Sequence, residues 1–89
     1  MQTLVGWHIE MEFREDGPRT AAAALLRLGD GTEVRAHGHS SRHPSDPGQL
    51  RVGEEIAAAR ALNDLASQLL TKAHGEIRGS DRLPSGPLM

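Results

Sequence analysis

Strict alternation of apolar and polar residues marks the first element of the chain. Within residues 7–14, every second position is apolar and the positions between are charged or histidine; the apolar ones are Trp7, Ile9, Met11 and Phe13. A period of two over eight residues is typical of a strand with one buried face. The pattern predicts a strand that points these four side chains toward a core, followed by a Gly-Pro turn at 15–18.

Two further strands are predicted from turn signals and alternation. Segment 20–28 is rich in alanine and leucine, which favour helix by propensity. It is short, however, and lies between a Gly-Pro turn and Gly29-Asp30-Gly31, a hairpin signal, so we interpret it as a strand. Over 32–40, Val34, Ala36 and Gly38 alternate with charged residues and histidines. Two hairpins then place the strands antiparallel in the order 1-2-3.

From Gly53 onward the apolar spacing changes to three and four, which predicts a helix. Glu54 and Glu55 suit its first turn, and Gly75 suits the position just after its end. The predicted fold is therefore α+β, a three-stranded antiparallel meander packed on one long C-terminal helix. One domain is expected over 5–75, with a flexible tail over 76–89. The stripe predicted to cover the apolar sheet face is Ile56, Ala59, Leu62, Leu65, Ala66, Leu69 and Ala73.

Length and composition narrow the class of protein. The chain has 89 residues, no cysteine and a formal net charge of −2. A domain of this size buries only about 60% of the surface of its unfolded chain, and no disulfide compensates, so a homo-oligomer (a dimer or higher) is expected. The acidic balance argues against nucleic-acid binding, which needs a basic face. No signal-peptide pattern or membrane-length apolar run is present, so we expect a cytoplasmic protein.

The loop and the helix together resemble a known family. Residues 39–46 read His-Ser-Ser-Arg-His-Pro-Ser-Asp, and residues 52–66 read Val-Gly-Glu-Glu-Ile-Ala-Ala-Ala-Arg-Ala-Leu-Asn-Asp-Leu-Ala. They resemble a family of short actinobacterial proteins of unknown function, which shares an Arg, Pro and Asp in the loop and a Gly-x-Glu-Leu-Ala-x-Ala-Arg-Ala-Leu-x-Asp-Leu-Ala helix. The resemblance implies a fold similar to the double-stranded-RNA-binding domain and brings no activity with it.

The implied fold does not imply RNA binding for this chain. Double-stranded-RNA-binding domains carry lysines at the start of the last helix, where they contact phosphates. Glu54 and Glu55 stand at that place here and would repel phosphate. The usual N-terminal helix is also missing, because only six residues precede Trp7. Nucleic-acid binding is therefore the least favoured of the alternatives.

Three histidines form the strongest candidate for a ligand-binding group in the sequence. His37 and His39 lie two apart on the third predicted strand, so both point to the same side, and His43 follows in the loop. One interpretation is a metal or small-ligand site; the other is a polar strand face that runs into a loop. The residue types of a hydrolytic triad also occur nearby, in Ser40, Ser41, His43 and Asp46. Because they crowd into one loop, which does not hold a nucleophile in a fixed geometry, we predict no enzyme and no cofactor.

The outer face of the sheet is predicted to mediate self-association. If the second strand points Ala22, Ala24 and Leu26 inward, small apolar residues occupy the middle of the other face, where polar residues are usual. An isologous dimer that packs sheet on sheet fits this face, and so does edge-to-edge pairing of the third strand. The residues predicted to form the interface are Ala21, Ala23, Leu25, Arg35 and His37. In the helix, Arg60 and Asp64 are interpreted as a solvent-side ion pair, with Arg60 near the loop that holds Asp46.

Overall fold

The computed structural model describes residues 2–41 and 50–82. It contains the strands β1 (His8–Asp16), β2 (Arg19–Arg27) and β3 (Glu33–Ser41), followed by the helix α1 (Leu50–Arg82). The strands form one antiparallel sheet in the order β1-β2-β3, and α1 packs on one face of it. The predicted α+β class, strand order and single C-terminal helix are confirmed.

Both hairpin turns depend on glycine. Gly17 has φ of 60° and is followed by Pro18, as in the two-residue hairpin turn that takes glycine first. Gly31 has φ of 89° in the longer turn between β2 and β3. In that turn the Thr32 amide donates to the Asp30 carboxylate at 2.9 Å, and this hydrogen bond lowers the pKa of Asp30. The turns fix the register, in which Met11 pairs with Ala24 and Ala24 with Ala36.

The helix is longer than predicted at both ends. It begins at Leu50, so Glu54 and Glu55 lie in its second turn, and it continues through Gly75 to Arg82. The predicted end of the helix at Gly75 was wrong, because residues 76–82 continue it. The predicted domain bounds of 5–75 and the flexible tail over 76–89 stay a prediction. Glycine inside a helix costs only about 1 kcal/mol, and an ion pair between Lys72 and Glu76 spans this turn. Residues 83–89 of the predicted tail lie outside the described residues.

The core between sheet and helix is built mainly from alanine. Among the described residues, the buried apolar side chains are Ala22, Ala24, Leu26, Ala36, Ala57, Ala61 and Leu65. Gly38 on β3 explains why the core is rich in alanine. A Cβ at this position would stand 2.8 Å from the carbonyl carbon of Arg60 and closer still to backbone atoms of Ala57 and Ala61. The helix backbone therefore lies almost directly on β3, and only small side chains fit between them.

The buried side of α1 differs from the predicted stripe. The helix buries Ala57, Ala61 and Leu65 against the sheet, whereas Ile56 and Leu62 are exposed. Ala59, Ala66 and Ala73 of the predicted stripe are exposed too, and Leu69 is half-buried. The prediction placed the largest apolar residues inside, but the close approach at Gly38 admits alanine and excludes isoleucine. As a result, most large apolar side chains remain outside the core.

Candidate interaction surface

Polar side chains of α1 cover the outer edge of β3. The carboxylate of Asp64 accepts a hydrogen bond from the His37 backbone amide at 3.0 Å. Arg60 donates to the His39 carbonyl and Gln68 to the Arg35 carbonyl, both at 2.7 Å. The three helix residues follow one another at intervals of four, so they form a row along one flank of α1. This row occupies backbone groups that an edge strand otherwise offers to another strand.

The covered β3 edge corrects two predictions. Edge-to-edge pairing of the third strand is disfavoured, because α1 already fills the hydrogen-bonding positions of Arg35, His37 and His39. Arg60 and Asp64 were interpreted as an ion pair on the solvent side, but each binds the β3 backbone instead. Their conformations are set by the neighbouring strand, since α1 leans toward β3 at Gly38.

The opposite edge of the sheet is open. Ile9, Met11 and Phe13 point to the helix side, as predicted, because their register partners on β2 are buried. Trp7, just before β1, lines a cavity together with Leu69 of the helix, so it lies on the same side. The helix packs on β3 and β2 and leaves β1 largely uncovered. Trp7 is therefore 55% exposed, Ile9 50% and Phe13 42%, and only Met11 is partly packed against the core. A strand face predicted to be buried within one chain is thus half solvent-exposed.

An apolar channel runs between this face and α1. Its floor is the inner face of β1, and its wall is the flank of the helix that carries Leu62 and Leu69; we refer to it as the β1 channel. At one end it widens into a cavity of about 680 Å³, lined mainly by Val5, Trp7, Leu28, Leu69, Leu70 and Ala73, with the ionisable residues Asp30, Lys72 and Glu76 also in its wall. The channel combines aromatic and aliphatic side chains on two sides, so it presents an extended surface for another apolar element.

A second apolar surface lies on the side of α1 that points away from the sheet. Ala66 follows Ala57 by nine residues, which at about 100° per residue is half a turn around the helix axis. The exposed apolar residues on that side are Val52, Ile56, Ala59, Ala66, Leu70, Ala73 and Ile77, which we call the outward stripe. Most are spaced three, four or seven apart, the spacing of helices that pack against another helix.

Charged residues avoid the middle of the outward stripe. Between Ala59 and Ala73 the helix has three charged side chains, Arg60, Asp64 and Lys72. Arg60 and Asp64 bind the β3 backbone, and Lys72 is half-buried and pairs with Glu76. A helix that faces solvent normally carries its charges on the side away from the core. The outward side of α1 therefore has the composition of a contact surface.

The predicted interface residues lie on the outer sheet face. Ala21 and Leu25 are partly buried there and Ala23 is exposed, flanked by Arg35 and His37 of β3. They line shallow depressions with Glu10 and Glu12 of β1 on the opposite side. The structure thus brings the five residues together on one face, as the sequence predicted. Their role in association stays a prediction.

The histidine pair also has the predicted placement. His37 and His39 are exposed on the outer face of β3, opposite Ala23 and Ala21 of β2. His43, the third predicted ligand, lies outside the described residues. Within residues 2–41 and 50–82, no three His, Cys, Asp or Glu side chains come close enough together to hold a metal ion.

Ser40 has a structural position. It belongs to β3 and not to the loop, it is buried, and its hydroxyl donates to the Gly53 carbonyl at 2.6 Å. Gly53 packs tightly on it, since a Cβ there would stand 3.5 Å from the Ser40 hydroxyl and 3.3 Å from that of Thr20. Ser40 therefore fixes the start of α1 to the sheet.

One carboxylate pair joins β1 to the same end of the helix. The carboxyl groups of Glu54 and Glu15 interact: hydrogen bonding between them when one is protonated, and repulsion between their charges, raise the pKa of Glu54. The pair lies at the surface, beside the Phe13 end of the β1 channel.

The sequence comparisons place this fold in a family. The family model matches residues 5–85, nearly the whole chain. The chain belongs to the Rv2632c-like family. It is similar to the uncharacterized protein Rv2632c of Mycobacterium tuberculosis H37Rv, at 34% identity over 76 residues, or 85% of this chain and 81% of that protein. It is also similar to the uncharacterized protein Mb1767 of Mycobacterium bovis, at 28% identity over 82 residues, or 92% and 86% of the two chains.

The structural comparison agrees with the family assignment. The crystal structure of Rv2632c superposes with a TM-score of 0.84 at 31% identity, over 93% of this chain and 98% of that one. These mycobacterial relatives confirm the resemblance to short actinobacterial proteins. The implied similarity to double-stranded-RNA-binding domains stays a prediction. Among the described residues of this Rv2632c-like chain, no helix has both the length and the apolar character to span a membrane.

Sequence reasoning missed the β1 channel and the outward stripe. A signal for the stripe was available, since Val52, Ala59, Ala66 and Ala73 recur every seven residues. Two apolar faces on one helix indicate two packing partners. The open channel had no such signal, because nothing in the alternation of β1 shows that the helix leans away from it.

Proposed function

We propose that this Rv2632c-like chain is a non-enzymatic interaction module of the cytoplasm that works as a homo-oligomer. The observation that carries the proposal is the distribution of large apolar side chains. Among the described residues, Leu26 and Leu65 are the only buried apolar side chains larger than alanine, while Trp7, Ile9 and Phe13 are half-exposed. The absence of cysteine suits a reducing compartment.

Stability supports the same proposal. Burial of apolar surface is the main favourable term in folding, at about 25 cal/mol per Å². An alanine core contributes little of it, because an alanine side chain is a single methyl group. Association supplies additional free energy of apolar burial, because it buries the large side chains that the fold of one chain leaves exposed. The proposal therefore explains why a small chain without disulfides keeps its large apolar residues on two surfaces.

The proposal is tested by the mass of the protein in solution and by one charge substitution. Sedimentation velocity at tens of micromolar is expected to give a dimer or larger species. Leu70, 61% exposed at the junction of channel and stripe, is replaced by glutamate. Because a buried leucine contributes roughly 1.5–3 kcal/mol and 1.4 kcal/mol is tenfold in affinity, the L70E variant is expected to dissociate at least tenfold more readily.

The matched control is the neighbouring residue. Thr71→Glu adds the same charge one position along the helix at an exposed site and is expected to leave the assembly intact. Circular dichroism checks that both variants keep their helix content. A strict monomer for the unmodified chain at these concentrations would overturn the proposal. An oligomer in which the two variants behave equally would place the contact on a surface that does not include Leu70.

A further inference from the structure

We infer that helix α1 of a second copy lies in the β1 channel, beside the first copy's own helix. The inference rests on the proposed self-association and states which surfaces meet. In the resulting pair, both helices lie between the two sheets. Each helix packs one side on its own β2 and β3 and its outward stripe on the β1 face of the other copy.

The usual spacings of strands and helices place a second helix over β1. Strands in a sheet are about 4.8 Å apart, and packed helices lie about 8–10 Å from each other. Because α1 covers β2 and β3, a second helix at that distance lies over β1 and its open edge. The flank of α1 that faces this space carries Leu62 and Leu69, and the floor carries Trp7, Ile9 and Phe13. An apolar helix therefore meets apolar side chains both below and beside it.

The outward stripe has the chemistry that this channel requires. Its middle consists of Ala59, Ala66 and Ala73, whose small side chains allow a helix to approach an aromatic floor closely. Larger residues flank these alanines, with Ile56 near one end and Leu70 and Ile77 near the other. No charge enters the channel from the stripe between Ala59 and Ala73, so docking leaves no buried unpaired ion there.

A single two-fold arrangement satisfies both surfaces. Channel and stripe belong to the same chain, so in a two-fold pair the stripe of each copy fills the channel of the other and both contacts form together. The areas also match. Taking about 150–250 Å² for a large side chain, the exposed fractions along channel and stripe leave on the order of 800 Å² of apolar surface per copy, which is what one partner contributes to a stable interface.

The charges on the outer sheet face are consistent with its remaining solvated in such a pair. That face carries Glu10, Glu12, Arg35 and His37 around a small apolar centre. A contact there would bury these charges. The contact between stripe and channel leaves them in solvent, and of the ionisable residues that line the Trp7 end of the channel, Asp30, Lys72 and Glu76, the last two already form an ion pair. The channel is therefore the better site for the second copy, and the outer face is the competing outcome of the test.

Disulfide trapping tests the inference, because the chain has no cysteine of its own. Each chain carries one substitution to cysteine. In the first kind of chain it replaces Ile9 on the channel floor, and in the second kind it replaces Ala59, Ala66 or Ala73 on the stripe. Chains of the two kinds, one isotopically heavy, are mixed and oxidised. We expect a link between residue 9 and at least one stripe position to form at least tenfold faster than any link of the control pair.

The control pair replaces Ile9 with its neighbour His8, which lies on the other face of the same strand. Fast links between two copies of Ile9→Cys, without links to the stripe, would show pairing of the β1 edges and overturn the inference. Fast links between two copies of Ala23→Cys would place the contact on the outer sheet face and overturn it too. In both cases the proposed self-association stands, whereas a chain that sediments as a monomer fails the proposed function itself.

Discussion

The contact of Gly38 with the helix backbone gives a sharp prediction for the change of Gly38 to alanine. The added Cβ would stand 2.8 Å from the carbonyl carbon of Arg60 and closer to the Ala57 carbonyl oxygen and the Ala61 amide nitrogen. All three are backbone atoms, so no side-chain rotation relieves the overlap. The helix has to move away from β3, by about 1 Å to restore ordinary contact distances.

The loss of stability follows from the contacts between α1 and β3 that this movement weakens. A gap of 0.5–1 Å forfeits about a quarter to a half of each van der Waals contact across it, and Ala36, Ala57 and Ala61 pack there without exposure. Overpacking a core lowers the free energy of unfolding by about 1–3 kcal/mol, whereas alanine in place of glycine in a strand raises it by about 0.5–1 kcal/mol. The shift also stretches the 2.7 Å bond from Arg60 to the His39 carbonyl. Weakening that hydrogen bond adds about 0.5–1 kcal/mol, so we expect the free energy of unfolding to fall by about 2 kcal/mol in total.

Urea and thermal unfolding at one fixed protein concentration measure this loss. For a domain of this size about 2 kcal/mol lowers the Tm by roughly 8–16 °C. The matched control is Gly6→Ala, since a Cβ at Gly6 meets nothing within 4 Å, and it is expected to change the stability by less than about 0.5 kcal/mol. Equal stability of the Gly38→Ala variant and the unmodified chain would refute the close packing of α1 on β3.

Two further predictions concern the attachment of α1 to the sheet. Asp64→Ala is expected to lower the free energy of unfolding by about 1 kcal/mol and to speed hydrogen exchange at the His37 amide, which donates to Asp64. Unchanged slow exchange would contradict the conclusion that α1 covers the β3 edge. Asn63→Ala is the control. Glu54→Gln is expected to flatten the dependence of stability on pH. The raised pKa of Glu54 means that the folded state binds this proton more tightly than the unfolded chain does. The stabilisation that Glu54 contributes is therefore fully present below its ordinary pKa of 4.5 and is lost as the pH rises through the raised folded-state pKa. Urea midpoints near pH 4 and pH 7 measure the effect, and a slope unchanged by the substitution would contradict it.

The sheet was predictable from local signals. The alternation in β1 and β3 has a period of two, and that period alone decides which residues share a face. β2 was predicted against the helix propensity of its alanines, because the turns on both sides leave room for only a short element. The structure confirms its inward residues Ala22, Ala24 and Leu26. Turn chemistry and strand period therefore contained enough information for the strand order and for the side of the sheet to which each residue points.

The packing of the helix was not predictable in the same way. Alanine occurs on both the buried and the exposed side of α1, so the phase was assigned from the larger residues, which lie outside. The deciding contact is between Gly38 and the backbone of α1, and it joins residues far apart in the chain. The row of Arg60, Asp64 and Gln68 has the same origin, because its partners are backbone groups of β3 that no side-chain pattern reveals.

The emission of Trp7 tests the central claim most directly. Trp7 is the single tryptophan of the chain and lies on the floor of the β1 channel, 55% exposed in the isolated copy. If a second copy covers the channel, emission at tens of micromolar is blue-shifted and protected from iodide. It moves to the red and becomes quenchable on dilution, along the same curve as the loss of mass in sedimentation. Emission typical of an exposed indole, with full quenching at every concentration, would contradict the account.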